Sequence, residues 1–403
     1  MQIAIVGGGP AGLRAAEVAA TGGAAVTLFD AKASVGRKFL VAGRGGLNLT
    51  KEESPELFAS HYSGPNQPPQ FWSALIAEFG PEALRKWAAD LGTETFVAST
   101  GRVYPRELKA APLLRRWLQR LRERDVRFAM HHRWTGLQPE GARWRSFFQT
   151  PDGDRYFDAD AVILALGGGS WPETGSNGHW TTTLTALGVD VSPLAPANCG
   201  WETNWSMEAL ALGEGKPLKN IVARVGNEEA AGELLFTKYG LEGGAIYKLG
   251  AALRAMDQPA MAIDLKPSLS VDQLVARLGP IRRNFLAEAR SRWRLSDAAF
   301  AVLINLAAVG SIESGAAIAA LCKKCVVPLQ RPRSLAEAIS SAGGVKWTEL
   351  DDSLMLKRLP RVFVAGEMID WEAPTGGYLM QGCFASGGHA ARAALAIKNS
   401  ASE

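Results

Sequence analysis

Residues 1–12 read Met-Gln-Ile-Ala-Ile-Val-Gly-Gly-Gly-Pro-Ala-Gly, and the rest of the chain takes its meaning from them. Gln2 to Val6 is a short apolar run suited to a buried parallel strand. Gly7, Gly9 and Gly12 follow as G-x-G-x-x-G around Pro10 and Ala11, and Leu13 to Ala20 opens an alanine-rich helix. The three glycines serve different ends, namely a tight turn, close approach of backbone to a pyrophosphate, and close packing of helix on strand. The helix N-terminus adds free N–H groups and the positive end of its dipole. Gly22-Gly23 stops the helix, and Ala24 to Phe29 forms a second strand that ends at Asp30, 18 residues past Gly12. A carboxylate at that place accepts a ribose 2′-OH and repels a 2′-phosphate. Ala31 and Lys32 continue the same edge. Strand, glycine turn, helix, strand and acid in this order read as a dinucleotide-binding βαβ unit, against the plainer alternative of a glycine turn without a ligand.

The 403 residues suffice for two or three domains, and 47% hydrophobic with 21% charged residues describes a globular chain. The net charge of +4 permits a polyanionic partner without demanding one. With a strand beginning at residue 2 and four cysteines in all, the expectation is a cytoplasmic protein of a reducing compartment, without a leader. The longest apolar run, 298–309, is too short to span a bilayer. Cys322 and Cys325 form a C-x-x-C that reads either as a redox pair or as two buried bystanders, and the spacings give no metal site.

After Asp30 come Gly36-Arg37-Lys38 and then Gly43-Arg44-Gly45-Gly46-Leu47-Asn48-Leu49-Thr50, a poor core but a good loop for lining an anion site. G-R-K followed by a glycine-rich stretch ending in N-x-T resembles the BaiN-like (YhiN-like) family of bacterial NAD(P)/FAD-dependent flavoproteins. The resemblance covers nearly the whole chain. It is densest at 3–50, 101–112, 162–178, 233–247 and 342–388, and it places the 43–48 loop against the flavin. The family's usual form has a cysteine before the asparagine; this chain has Leu47, so that cysteine's role does not carry over. Ala161 to Ala165 is another apolar strand running into Gly167-Gly168-Gly169, and residues 167–178 are similar to the family's second signature. The family usually continues with Asp where this chain has His179, which is given no role.

Near the C-terminus Arg361 to Ala365 is an apolar strand followed by Gly366-Glu367, then Gly376-Gly377-Tyr378 and a helix over 379–398. In FAD proteins of this architecture such a strand delivers an acid to the ribityl hydroxyls, which fits Glu367. The Gly377–Gln381 backbone, Leu379 included, would point N–H groups at the flavin N1/C2=O edge.

The fold expected is α/β: a discontinuous Rossmann-type FAD-binding domain (glutathione-reductase-like) over 1–191 and 342–403. A β-rich, barrel-like insert with a helical subdomain would occupy 192–341. Val126 to Met130, Trp144 to Thr150 and Tyr156-Phe157 read as a small meander, and 244–254 and 271–289 as helices of the insert.

The leading function is an FAD-dependent reductase that passes hydride from flavin N5 to a polarised C=C bond, with NAD(P)H as a transient donor. An enone or a uridine in RNA would be the substrate. Tyr239 and Tyr378 are the candidate proton donors, with Cys383 behind them, because a phenol in a flavin-facing loop can protonate carbon. Alternatives are an O2-dependent oxidase of a small amine or aminoketone, and a non-catalytic flavin-containing RNA-binding protein. The stretch 102–133 carries ten Lys/Arg against three Asp/Glu, and 277–294 six Arg against one Glu. Each reads as a solvated face or as a site for an anionic substrate, small molecule or RNA.

Overall fold

The computed structural model describes residues 1–43, 45–281, 283–308 and 313–400, the last three by backbone alone. The chain forms two compact units, Met1–Ala195 with Ser340–Glu403, and Pro196–Ile339. Each has its own apolar core.

The first unit is built on five parallel strands: β1 (Gln2–Val6), β2 (Ala25–Phe29), β3 (Arg127–Ala129), β4 (Ala161–Leu164) and β5 (Val362–Val364). Their order across the sheet is β5-β4-β1-β2-β3, the doubly wound order that reverses direction beside the first strand. Strand β1 is paired on both edges, Ile3 to Ala161 on one side and Val26 on the other, and with elements packed over the sheet Ile3 to Val6 are at most 1% exposed. Helix α1 (Pro10–Thr21) starts with proline where no N–H is needed and ends at Gly22. Helices α2 (Arg37–Ala42), α3 (Ala110–Glu123) and the long α4 (Tyr378–Ser400) complete the frame used below. Helix α4 lies so close to α1 that a Cβ on Gly387 would fall 2.2 Å from the Ala11 carbonyl oxygen.

Two readings change here. The strand expected over 126–130 joins the parallel sheet as β3, with Thr27 opposite Arg127. The meander is instead Arg133–Glu140, Arg143–Thr150 and Gly153–Ala159. The helix expected over 271–289 is two, Val271–Leu278 and Phe285–Arg292. Gly279 takes φ +63° and Pro280 cannot continue the hydrogen-bond ladder, so the apolar periodicity bridged a true break.

The second unit carries an antiparallel sheet in the order Trp201–Glu202, Gly240–Glu242, Glu228–Thr237, Pro217–Val225, Ala260–Asp264, Cys325–Pro328. Beyond the last strand, Gln330 N–H donates to Glu202 O and Glu202 N–H to Arg331 O, so the sheet closes back on its first strand like a barrel. Cys322 and Cys325 are buried, free thiols of this unit. Burial pushes the Cys322 thiol up to about 12, so it stays protonated and unreactive at neutral pH, which favours the bystander reading. No helix among the described residues is long and apolar enough to cross a membrane, and none of their acidic, Cys or His clusters could hold a metal ion.

Candidate cofactor cleft

A cleft in the first unit opens where β1, β2 and β4 end. Gly7 takes φ +109°, and a Cβ there would fall 2.2 Å from the Ala165 carbonyl oxygen, so only glycine fits the turn. A Cβ on Gly12 would fall 1.9 Å from the Gly7 carbonyl oxygen, which presses the first turn of α1 onto β1. A Cβ on Gly9 would meet nothing within 4 Å. Gly9 is therefore small for a reason the protein itself does not supply, and the open space above it is the cradle a pyrophosphate needs. Leu13 N–H bonds Gly9 O, so the N–H groups of Ala11 and Gly12, which precede it, have no intrahelical acceptor.

Asp30 sits at the rim. Its Oδ2 accepts from Gly8 N–H at 2.9 Å and its Oδ1 from Lys32 N–H at 2.8 Å. Burial raises its carboxyl above the usual range, against those two hydrogen bonds and Arg37. Each oxygen keeps a lone pair for a ribose hydroxyl. Across the cleft Lys38 Nζ donates to Ser170 Oγ at 2.6 Å and to Glu367 Oε2 at 2.9 Å. The other oxygen of Glu367 accepts from Ser341 N–H at 3.0 Å. Arg37 is exposed at the same mouth. Cys383 lines the cleft too, its thiol pushed up to about 12 by burial and by Glu367.

Of the expected cofactor residues, the cleft gathers Gly7, Gly9, Pro10, Ala11, Asp30, Ala31, Arg37, Lys38, Ala165, Gly167 and Glu367. Gly12 and Gly168 support it through packing; a Cβ on Gly168 would meet Ser341 Oγ at 2.3 Å. Lys32 contributes its backbone N–H to Asp30. Gly366 takes φ +72° and donates its N–H to Ser386 Oγ, which turns the chain to present Glu367. Gly43 packs on Ala110 at the start of α3. Gly45 and Gly46 do not line the cleft, and Arg44 lies outside the described residues. Leu47 is fully buried in the core. The Asn48 Oδ1 is buried without a hydrogen-bond partner among the described residues. Gly376 and Gly377 both have positive φ, and a Cβ on Gly377 would fall 2.5 Å from Thr50 Cα, so they carry the start of α4 against the 50–51 backbone. Leu379 packs on the core, and Gln381 is fully buried with its Nε2 donating to Phe79 O.

Several lining residues had no assignment from sequence. Gly8 belongs to the fingerprint, and Thr174, Ser176 and Asn177 to the 167–178 stretch, so a signal existed. His132 and Trp134 had none, because they follow β3 and reach the cleft only through tertiary packing. Trp180 also lines it, its indole N–H donating to Gly167 O at 2.8 Å, and His179 stands beside it.

The two tyrosines sit elsewhere. Tyr239, in the second unit, donates to Glu242, with the Arg333 guanidinium 4.4 Å above its ring. Tyr378 opens α4 in a polar cluster of the first unit rather than on the cleft lining. Its hydroxyl donates to Glu53 Oε2 at 2.8 Å, His61 Nε2 lies 3.1 Å from the same oxygen, and Lys51 Nζ bonds the other. Burial, then Glu53, raises the Tyr378 phenol well above 10. Burial alone would raise Glu53, but hydrogen bonds from Lys51 and Tyr378 win and hold its carboxyl low. Glu53 therefore contributes stability above its unfolded value near 4, lost as pH falls through the folded one. Glu53→Gln is expected to flatten that acid limb in pH-dependent unfolding and to lower the Tyr378 pKa, so that the phenol ionises more readily. Ultraviolet difference titration against Tyr378→Phe reads the second effect; an unmoved phenol would break the assignment.

Some arginines of the two basic stretches have acid partners within the protein. Arg120 and Arg124 pair with Glu17, and Arg116 with Glu107. Arg290 pairs with Asp297 and Arg292 with Glu288.

Residues 1–393 match the family model described as HI0933-like protein Rossmann domain. The chain is 28% identical to a 3-dehydro-bile acid delta(4,6)-reductase of Clostridium scindens, over 98% of each chain. It is 24% identical to a ribosomal RNA dihydrouridine synthase of Haemophilus influenzae, over 67% of this chain and 65% of the other. Among solved structures, a 3-ketosteroid-delta4-(5alpha)-dehydrogenase from Rhodococcus jostii RHA1 superposes with a TM-score of 0.53 at 14% identity. It covers 98% of this chain and 96% of the other, a likeness of fold.

Proposed function

The chain belongs to the HI0933-like Rossmann-domain family, and from that premise we infer that it is an FAD-dependent oxidoreductase that reduces a polarised C=C bond, with NAD(P)H as transient electron donor. The observation that carries the cofactor is the cradle: Gly7 and Gly12 are required by the protein's own backbone, while the space over Gly9 is left for a ligand. The reductive direction and the C=C bond are supported by the bile acid reductase, which matches end to end.

FAD, when bound, supplies the two-electron step to an electron-poor carbon. The chain's residues bind and orient it. Asp30 would accept ribose hydroxyls, and the N–H groups of Ala11 and Gly12, left without intrahelical acceptors, would hold the pyrophosphate. Lys38 and Arg37 would balance its negative charge, and Glu367, with Lys38 on one oxygen and Ser341 N–H on the other, keeps a lone pair on each for the ribityl hydroxyls. Phe29, Trp134 and Trp180 line the cleft with buried apolar surface and would exclude water from the bound group. The second carbon of the bond needs a proton, and Tyr378 is the proposed donor. Its carboxylate partner Glu53 joins it to His61 and Lys51, both partly exposed, through which a lost proton can be replaced.

The test is anaerobic mixing of the FAD-loaded protein with NADH and with NADPH, followed by an enone or a uridine-containing oligonucleotide. Bleaching of the flavin band by one nicotinamide and its recovery on adding an acceptor is the expected result. A flavin that only dithionite reduces would overturn the reductase, and fast reoxidation by O2 alone would turn it into an oxidase.

A further inference from the structure

The second unit has a groove of about 440 Å³ between the start of strand Pro217–Val225, the turn after Asp264 and the start of helix Asp297–Ala307. Its floor, including Leu218 and Leu295, is apolar and buried. Its rim carries Lys216, Lys219, Lys266 and Arg294 against a single acid, Asp297. That acid is already shared: Lys216 Nζ lies 2.6 Å from one oxygen and Arg290 Nη2 2.7 Å from the other. Lys266 Nζ donates to the Arg294 carbonyl at 3.3 Å. The side chains of Lys219 and Arg294 have no hydrogen-bond or ion-pair partner among the described residues.

Arg294 is held there at a cost. Leu295 N–H donates to Arg290 O at 3.0 Å and Arg294 N–H to Ser291 O at 3.2 Å, the paired bonds of a Schellman cap. Arg294 therefore occupies the left-handed position, with φ +50°. Glycine suits that position, and an L-residue in it costs roughly 1 kcal/mol. Backbone energetics argue for glycine, yet the residue is an exposed arginine, without a side-chain partner among the described residues, on the rim of a groove already rich in lysine.

We propose that this groove binds a phosphate group, carried either by a small phosphorylated molecule or by an RNA backbone. A planar guanidinium offers two parallel N–H donors to phosphate oxygens, and the lysines add point charges. The single acid is spoken for, so an incoming dianion meets net positive charge over a floor that holds little water.

The test titrates FAD-saturated protein, whose glycine cleft is filled, with sodium pyrophosphate at constant ionic strength in a calorimeter. Saturable binding is expected, weakened about tenfold or more by Arg294→Gly and by Lys219→Ala, as for loss of one charge-assisted contact. Arg294→Gly is expected to melt no lower than the parent, because glycine relieves the left-handed strain; a merely structural arginine would show the opposite. The difference between parent and Arg294→Gly reports on this groove whether or not the flavin reading holds. A short oligouridylate names the source. Tighter binding than pyrophosphate, with a salt slope that falls by about 0.7 in Arg294→Gly, assigns an RNA backbone; no gain over pyrophosphate assigns a small phosphorylated ligand. No saturable binding by the parent, or equal affinity in parent and both variants, overturns the proposal.

Discussion

Glu17→Ala is expected to lower folding stability by about 3–5 kcal/mol, the loss typical of breaking a buried ion pair from one side. Glu17 lies in the middle of α1 and is 2% exposed. One of its oxygens accepts from Arg120 at 3.0 Å and Arg124 at 3.4 Å. The other accepts from Arg14 at 2.9 Å and from the indole N–H groups of Trp87 and Trp117 at 2.8 and 3.2 Å. Removing the carboxylate leaves two buried indole donors unpaired and the guanidinium groups of Arg14 and Arg120 without a counter-charge. Burial already lowers the Arg14 pKa, and Glu17 is the main opposing influence. Glu17→Gln keeps the volume and one acceptor oxygen, so it should fall between parent and Ala. Urea unfolding measures both; a Glu17→Ala midpoint shift worth less than about 1 kcal/mol would mean water or rearranged arginines replace the carboxylate. A double variant with Arg120→Ala should lose less than the sum of the two single losses, because they remove one interaction.

That cluster also marks the limit of sequence reading. Arg116, Arg120 and Arg124 show the spacing of one helix face, and the face reads as solvated or substrate-binding. The acid partner of Arg120 and Arg124 is about a hundred positions away in α1, and no local pattern announces it. The Lys38–Glu367 and Tyr378–Glu53 pairs are longer still in sequence. By contrast β1, the glycine turn, α1, β2 and Asp30 were legible because thirty consecutive residues fix them: apolar runs, glycine geometry and one acid in order. Strand β3 was legible as a strand but not in its pairing, since a short edge strand looks alike beside a parallel or an antiparallel neighbour. The break at Gly279-Pro280 was written in the sequence and lost to the amphipathic period around it. The chemistry of a phenol singles out Tyr378 and Tyr239 in the sequence; only the fold shows which carboxylate each hydroxyl donates to.

Gly9→Ala should separate the ligand from the fold. Gly9 has φ −80° and ψ −178°, values open to alanine, and a Cβ there meets no protein atom within 4 Å. As an N-cap it would lose a little stability, under about 1 kcal/mol. The same methyl group fills the space where a pyrophosphate would touch the backbone, so FAD affinity should fall at least about a hundredfold, or roughly 2.7 kcal/mol. Gly7→Ala is the contrasting variant. Its Cβ would lie 2.2 Å from the Ala165 carbonyl oxygen at φ +109°, and neither strand end can move away, so the fold itself should suffer, by about 3 kcal/mol or more. Flavin fluorescence titration and thermal unfolding of the two variants, run side by side, give the four values needed. If Gly9→Ala melts like the parent and also binds FAD like the parent, no pyrophosphate crosses Gly9. The cleft then loses its cofactor assignment with the fold intact, so misfolding could not account for the result.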